Sequence, residues 1–341
     1  MILNIYTIIM LFIAIVSLSL GGFLLSLTLK AIITFNTFVP LESKTKYEQK
    51  GYLIFLLGCV VIFIRMLAWP WFYFMLQSFV PEVPGAMCIF GVTRIMPSTV
   101  TFLQIIKPVS FFFMGGWIFC YYVDKAHPTS PLTRKILLFL LPICTLLFID
   151  SGTDIYYILF MKPLVSVSCC ATFFDVPLRP SAMIPQAIFG KNFDTALFFL
   201  YYFINIVLVI FLFLTLSNKW KSLLHLSDKI LLYIQSGIGL INIPVVVLSF
   251  MEVIAPKLMQ LPFHHCLYCF IGNGIVPDAP LMLGLFIIGT FSIGWIGILR
   301  YICKNSAAKQ VTDIFVKRVN SLSVFCLLTS LIMVTIHLVL T

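Results

Sequence analysis

The sequence predicts an all-α integral membrane protein, a bundle of about eight transmembrane helices. Apolar residues make up 61% of the 341 residues and charged residues only 10%, whereas soluble domains contain roughly 25% charged residues. The apolar residues also occur in long runs, and a helix needs roughly 20 such residues to cross a bilayer. Because a soluble fold of this composition would have too little polar surface for water, we expect the chain to lie in a membrane.

Eight apolar segments have the length of a membrane span, and more polar loops separate them. The predicted spans are residues 3–29, 52–79, 103–123, 136–161, 195–217, 230–254, 280–302 and 321–340. The first apolar run lacks a preceding basic stretch and is longer than the core of a signal peptide, so we interpret it as a retained helix. Residues 1–341 are therefore predicted to form a single multi-pass transmembrane domain.

The distribution of Lys and Arg predicts the orientation of these spans. Fifteen of these residues lie in or beside four alternate loops, at 30–51, 124–135, 218–229 and 303–320. Only five lie in the other three loops, at 80–102, 162–194 and 255–279. Since cytoplasmic loops carry the excess of basic residues, the first set is predicted to be cytoplasmic. Both termini then lie on the outer side, and we expect a cytoplasmic (plasma) membrane protein.

The ten cysteines divide according to this topology. Four fall within predicted spans, and Cys303 lies at a cytoplasmic edge. The other five lie in the outer loops: Cys88, Cys169, Cys170, Cys266 and Cys269. Extracytoplasmic compartments are where disulfides form and persist. We therefore expect the three outer loops to bring these sulfur atoms together on one outer face.

A weak internal repeat supports that expectation. The segment Cys88-Ile89-Phe90-Gly91 resembles Cys269-Phe270-Ile271-Gly272, and each cysteine-bearing loop continues through an apolar stretch to a proline. This pattern suggests the hypothesis of three related helical hairpins at 52–123, 136–217 and 230–302. Such a repeat would place the three loops at the same end of the bundle.

The densest group of reactive side chains is the CxxC motif at Cys266 and Cys269. A CxxC pair can cycle between dithiol and disulfide, and a position at the start of a helix favours the nucleophilic thiolate. Either Cys88 or the vicinal pair Cys169-Cys170 could relay electrons to this motif. The function that this pattern favours is thiol–disulfide exchange, with these cysteines as the catalytic residues. The electrons would pass within the membrane to a quinone-type acceptor.

The segment Cys266-Leu267-Tyr268-Cys269, at the outer end of a span, resembles the CxxC of membrane thiol oxidoreductases. Examples are the vitamin K epoxide reductase and bacterial disulfide-oxidase groups. The resemblance covers this motif and its place in the topology, and those families have fewer spans than are predicted here. It implies a quinone as the electron acceptor and an extracytoplasmic thiol protein as a partner.

The same segment is also a ligand set for a soft metal ion. His264, His265, Cys266 and Cys269 offer two imidazoles and two thiolates, which is a sufficient set for tetrahedral zinc, and thiolates also favour Cu(I). The vicinal pair Cys169-Cys170 resembles that of mercury- and copper-handling proteins. The alternative function is therefore binding or transport of copper, zinc or mercury at the outer face, with a metal carrier as partner.

A third interpretation is structural. The outer cysteines could form disulfides that hold the loops of a membrane subunit, whose partners are other subunits of a larger complex. Enzyme classes with other signatures find no support, because the sequence has no P-loop, HExxH or GxSxG motif. The excess of basic residues is explained by the cytoplasmic loops, and we expect no nucleic-acid partner.

Several charged residues lie at membrane depth, where an isolated charge is expensive. Arg65 falls in the middle of the second span, and Asp150 and Asp154 lie one helical turn apart in the fourth, on the same helix face. We expect Arg65 to pair with one of these aspartates. The functional interpretation is a proton or cation path, or a quinone site. Lys107 and Glu252 lie nearer to span ends and are predicted to make ordinary interfacial ion pairs or to snorkel.

Overall fold

A computed structural model describes residues 4–36, 44–127, 130–162, 166–168, 170–177, 179–216, 227–272, 274–304 and 309–340. All regular secondary structure in these ranges is helical. The α-helices are α1 (Ile5–Asn36), α2 (Lys44–Phe79), α3 (Ile89–Thr93), α4 (Pro97–Lys125), α5 (Thr133–Phe160), α6 (Ala171–Phe174), α7 (Pro180–Phe189), α8 (Phe193–Leu216), α9 (Asp228–Ser249), α10 (Ala255–Leu258), α11 (Leu267–Gly272), α12 (Ala279–Cys303) and α13 (Lys309–Leu340).

Within the described ranges, eight helical segments are long and apolar enough to cross a membrane, which confirms the predicted number of spans. They are Ile5–Ile33, Gly51–Glu82, Pro97–Lys125, Thr133–Phe160, Pro180–Leu216, Ile230–Leu258, Ala279–Cys303 and Gln310–Leu340. Large apolar side chains such as Phe12, Phe199 and Phe203 are exposed on these helices, where lipid rather than water can cover them. The protein is therefore an all-helical, multi-pass integral membrane protein.

The chain forms two compact units. Unit 1 contains Met1–Ser168 and Leu299–Thr312, and unit 2 contains Cys169–Ile298 and Asp313–Thr341. That residues 1–341 form a single transmembrane domain stays a prediction. The assignment of each loop to the outer or the cytoplasmic side also stays a prediction. Parts of the loops at 30–51, 124–135, 162–194, 218–229, 255–279 and 303–320 lie outside the described residues.

Unit 1 is built on α5, against which both α1 and α4 pack, and α2 packs against α1 and α4. Small residues allow these helices to approach each other closely. A Cβ added at Gly21 of α1 would lie 2.7 Å from a methyl carbon of Leu147 on α5. A Cβ at Gly58 of α2 would lie 3.0 Å from the indole of the fully buried Trp117 on α4. Close contact through small residues is the usual way in which helices associate in lipid.

A sharp turn in unit 1 precedes the first loop cysteine. Gly85 has φ +83°, and a Cβ there would lie 2.3 Å from the carbonyl oxygen of Val167. The amide N–H of Val167 in turn donates to the carbonyl of Pro84 at 3.0 Å. Only glycine tolerates both this backbone conformation and this contact, so the turn pins the chain immediately before Cys88 and α3.

In unit 2, α8 packs against α9, and α12 packs against α13. The closest approach of α12 and α13 is at Gly289, where an added Cβ would lie 2.7 Å from Leu327 Cγ and where the Ser323 hydroxyl donates to the Gly289 carbonyl. Helix α9 continues through Pro244, and one wide π-helical turn, Phe250–Ile254, joins it to α10. Such π turns are rare and occur frequently at functional sites.

Candidate functional site

Three buried thiols lie together in unit 2. The Sγ atoms of Cys170, Cys266 and Cys269 are all within 4.8 Å of one another. Cys266 has no exposed surface, and Cys170 and Cys269 are only 3% and 5% exposed. The Sγ atoms of Cys170 and Cys269 are 3.7 Å apart, which is thiol contact distance and much longer than a disulfide bond of about 2.05 Å. We call these three residues the thiol cluster.

Two short helices position the thiol cluster. Cys266 directly precedes α11, and its carbonyl accepts the first helical hydrogen bond from the Phe270 amide at 3.1 Å. Cys269 follows three residues later, so both sulfur atoms lie on the same side of this turn. Cys170 directly precedes α6 in the same way, and its carbonyl accepts from the Phe174 amide at 2.8 Å. The buried Phe270 ring packs on Phe250 of the π turn, with 5.9 Å between the centroids, and fixes α11.

A histidine and an aspartate lie beside the thiol cluster. His264 Nδ1 is 2.8 Å from Asp175 Oδ1, and His264 Nε2 is 4.0 Å from Cys170 Sγ. A carboxylate can only accept a hydrogen bond, so the Nδ1 atom carries the proton. Nε2 is the ring nitrogen that faces the sulfur side. A histidine that binds a metal usually donates its other ring N–H to a carboxylate. His264 has this arrangement, with Asp175 on one side of the ring and the thiol cluster on the other.

The neighbouring His265 has different partners. Its Nδ1 atom donates to the carbonyl of Met251 at 3.1 Å and is 3.8 Å from Glu252 Oε2. Burial, followed by the nearby Arg179 guanidinium, lowers the pKa of His265 below its ordinary value. The ring is therefore held in its neutral form beside the cluster. Its predicted role as a second imidazole ligand stays a prediction.

Glu252 lies in the π turn and is buried in unit 2, which excludes the snorkelling that the sequence also allowed for its side chain. The ion pair itself is present, because Arg179 Nε donates to Glu252 Oε2 at 2.8 Å. A buried carboxylate requires such a partner, since removing one member of a buried pair leaves an uncompensated charge. The pair ties the start of α7 to the π turn that carries Phe250.

Two predicted cysteines are not assigned to this cluster. Cys169 lies outside the described residues. Cys88 belongs to unit 1, where it is buried directly before α3 and its carbonyl accepts from the Gly91 amide at 3.0 Å. That Cys88 joins the thiol cluster therefore stays a prediction from the sequence. The cysteines predicted to lie in spans do so: Cys59, Cys120, Cys144 and Cys326 are all within long helices.

A second buried polar group, in unit 1, contains four charged residues. Arg65 of α2 donates from Nε to Asp150 Oδ2 at 2.7 Å and from Nη2 to Asp154. The predicted pairing of Arg65 is thus confirmed, and it includes both aspartates. Lys107 of α4 donates to Asp150 Oδ1 at 3.1 Å and to Asp154 Oδ2 at 2.8 Å. We call these four residues the charge quartet.

The position of Lys107 differs from the prediction. The sequence placed it at an interface, where its ammonium could reach water, but its side chain is buried in unit 1. The ammonium lies 4.9 Å from the centroid of the Phe72 ring, which adds a cation–π contact. Two cations and two carboxylates make the quartet neutral, which is how a low-dielectric interior accommodates charge. The spacing of Asp150 and Asp154 was readable from the sequence, whereas no sequence signal placed Lys107 opposite them.

These features define a class: a multi-pass helical membrane protein with a buried thiol cluster in one unit and a neutral charge quartet in the other. Comparison of the sequence with protein-family models and with curated proteins, and of the structure with solved structures, gives no match.

Proposed function

We propose that this protein binds a soft metal ion through Cys170, Cys266 and Cys269. The observation that supports this most strongly is the mutual approach of three buried sulfur atoms, with 3.7 Å between Cys170 and Cys269. Thiolates bound to tetrahedral zinc at about 2.3 Å are about 3.8 Å apart. The distance between the Cys170 and Cys269 sulfur atoms is therefore close to that in a metal–thiolate site.

The fourth ligand has two candidates. His264 supports the first, because Asp175 orients its ring and its Nε2 atom is 4.0 Å from Cys170 Sγ. A movement of a few tenths of an ångström would bring the ring to ligand distance. Cys88 is the second candidate, on the sequence grounds given above. A site rich in thiolates selects Zn²⁺ or Cu(I), and also accepts mercury, over hard cations.

Thiol–disulfide exchange is the second candidate function. The CxxC spacing of Cys266 and Cys269 and their contact with Cys170 supply the three sulfur atoms that an exchange relay needs. In thiol–disulfide exchange a thiolate attacks a sulfur atom of the partner's disulfide, so the thiolate must be accessible to that partner. The burial of all three sulfur atoms favours metal binding over exchange with an extracytoplasmic thiol protein. A quinone-type acceptor within the membrane would be compatible with that burial.

We propose that both termini and the cysteine-bearing loops lie on the outer side of the plasma membrane, with the loops in three related hairpins. The distribution of Lys and Arg in the loops supports this orientation. The partner of a metal site there would be an extracytoplasmic metal carrier. A purely structural subunit, with loops joined by disulfides and bound to other membrane subunits, is the alternative.

The metal proposal predicts which reagent exposes the thiol cluster. Cells or spheroplasts are labelled with a membrane-impermeant maleimide after no treatment, after a reductant, or after a strong soft-metal chelator, and mass spectrometry locates the labels. We expect the chelator alone to expose Cys170, Cys266 and Cys269, because a bound ion masks its thiolate ligands. Cys326, within a span, serves as the internal control and should remain unlabelled throughout. Exposure by the reductant alone would favour the disulfide interpretation instead.

A further inference from the structure

Five buried polar atoms of unit 1 have no hydrogen-bond partner among the described residues. They are the Oγ atoms of Ser17, Ser110 and Ser151, the hydroxyl of Tyr157, and Nη1 of Arg65. Each of these residues is at most 2% exposed. Buried polar groups are nearly always satisfied by protein or by ordered water, and an unsatisfied group destabilises the fold. Five such atoms in one unit point to a bound partner.

The directions of the helices relate these atoms to the charge quartet. In the quartet, Arg65 of α2 bonds to Asp150 and Asp154 of α5. Two turns further along each helix, the rings of Phe72 and Tyr157 pack with 6.4 Å between their centroids. The two helices therefore run parallel, and Tyr157 lies three residues beyond Asp154, or about 4.5 Å along the helix axis.

Helix α1 runs in the opposite direction. Asn4, directly before α1, donates from its amide to the Ser78 hydroxyl at 2.8 Å, and the Trp71 indole donates to the Tyr6 carbonyl at 3.1 Å. Residue numbers that rise along α1 therefore meet falling numbers on α2. Because α2 and α5 are parallel, α1 is antiparallel to α5 as well.

This arrangement brings two of the five atoms to the same height. Gly21 of α1 faces Leu147 of α5. Ser17 is four residues back along α1, and Ser151 is four residues forward along α5. Antiparallel packing therefore places the two serines within about one helical turn of the same height. Since Ser151 lies between the two aspartates of the quartet in the sequence, both hydroxyls are level with the buried charges.

Helix α4 contributes the third serine hydroxyl and a break in its backbone hydrogen bonds. Ser110 follows Lys107 by three residues, which is about one turn. Pro108 lies between them, and Pro70 of α2 lies within two turns of Arg65. A proline has no N–H to continue the helical hydrogen bonds. Ordered water is one of the groups that satisfy the freed carbonyls in membrane helices.

The chemistry of the five atoms selects a neutral partner that both donates and accepts. Arg65 directs Nε and Nη2 to the aspartates, and its Nη1 atom can only donate, whereas a hydroxyl can donate and accept. Two cations and two carboxylates already balance in the quartet, so a bound ion would leave a net charge in a buried site. Water is neutral, donates and accepts, and typically makes about three hydrogen bonds when it is buried.

We infer that unit 1 binds internal water at the level of the charge quartet, held by Arg65 Nη1 and by the hydroxyls of Ser17, Ser110, Ser151 and Tyr157. These groups exceed what one water molecule can satisfy, so more than one molecule is bound. Intramembrane carboxylates that face water mark proton and ion paths, and such water is what a proton would need to reach the two aspartates. The inference concerns unit 1 alone and does not depend on the thiol cluster or on its metal.

Radiolytic footprinting of the detergent-solubilised full-length protein tests this inference. Hydroxyl radicals form from bound water as well as from bulk water, so a buried side chain that touches bound water is oxidised. We expect Tyr157 to be oxidised several-fold faster than Trp117, each rate being divided by the rate of the same residue in the denatured protein. Trp117 is the control because it is fully buried in unit 1 and its indole N–H donates to the Ile136 carbonyl at 3.1 Å. Equal rates for the two residues would overturn the inference.

The sign of a change in stability gives a second test. Tyr157→Phe removes only the hydroxyl. Without bound water, this substitution would remove an unsatisfied buried group and raise the Tm. With bound water it removes a hydrogen bond, so we expect a Tm equal to or lower than that of the unmodified protein. Tyr156→Phe is the matched control, because Tyr156 is 50% exposed, and it should leave the Tm unchanged. A higher Tm for Tyr157→Phe would contradict the presence of water at this hydroxyl and overturn the inference.

Discussion

Cys266→Ser is expected to lower the affinity for a soft metal ion by at least about 100-fold. Loss of a residue that merely orients a ligand already lowers metal affinity by about 10–100-fold. Cys266 is the most deeply buried member of the thiol cluster. The measurement is competition for Zn²⁺ or Cu(I) between the purified protein and a chromophoric chelator. Cys170→Ser and Cys269→Ser should behave alike.

Two further variants show whether this effect is specific. Cys326→Ser removes a buried cysteine of unit 2 that lies within α13, and it should leave the affinity unchanged. Asp175→Asn should weaken binding by about 10–100-fold if His264 is a ligand, because it removes the carboxylate that orients the ring. Equal affinity of the Asp175 variant and the unmodified protein would indicate instead that Asp175 does not orient a ligand. Unchanged affinity in all three cluster variants would exclude the thiol site.

Loss of one cation from the charge quartet is expected to be the most destabilising single substitution in unit 1. Lys107→Met keeps the length of the side chain but leaves Asp150 and Asp154 with Arg65 as their only cation within the quartet. Breaking a buried ion pair in this way costs about 3–5 kcal/mol. We expect a large fall in the Tm and in the yield of folded protein, measured by fluorescence-detected size-exclusion chromatography.

The double variant Lys107→Met/Asp150→Asn distinguishes charge from packing. It restores neutrality to the quartet, so its loss of stability should be smaller than the sum of the two single losses. Lys191→Met, which removes an exposed cation in the short turn Gly190–Asn192 between α7 and α8, is the control and should change the Tm little. If the loss of stability in the double variant equals the sum of the losses in the two single variants, the four charges do not act as one neutral group.

The spans and some of their contacts were predictable because their causes are local. A helix in lipid must satisfy its own backbone and present apolar side chains over a fixed length, and eight segments of the sequence meet that condition. The pairing of Arg65 followed from the four-residue spacing of Asp150 and Asp154. Both predictions needed only the period of a helix and the high energy of an isolated charge in a membrane.

Other features depend on which helices are neighbours, and hydropathy carries no such information. Lys107 is close enough to a span end to suggest snorkelling, and the packing of α4 against α5 and α2 buries it. Asp175 lies 89 residues from His264, and no motif connects the two. The hydrogen bonds from Asn242 to Asn205 and from Asn320 to Thr215 join three helices, α8, α9 and α13. Polar contacts of this kind set lateral packing in lipid and are not periodic in sequence.

X-ray absorption spectroscopy of the purified protein loaded with one equivalent of Zn²⁺ tests whether the thiol cluster binds the ion. We expect a first shell of three or four sulfur atoms at about 2.3 Å. With three sulfur atoms, the fourth scatterer would be a nitrogen at about 2.0–2.1 Å, as expected for a histidine ligand such as His264. A shell made only of oxygen and nitrogen would contradict the claim, because the ion would then be bound away from Cys170, Cys266 and Cys269.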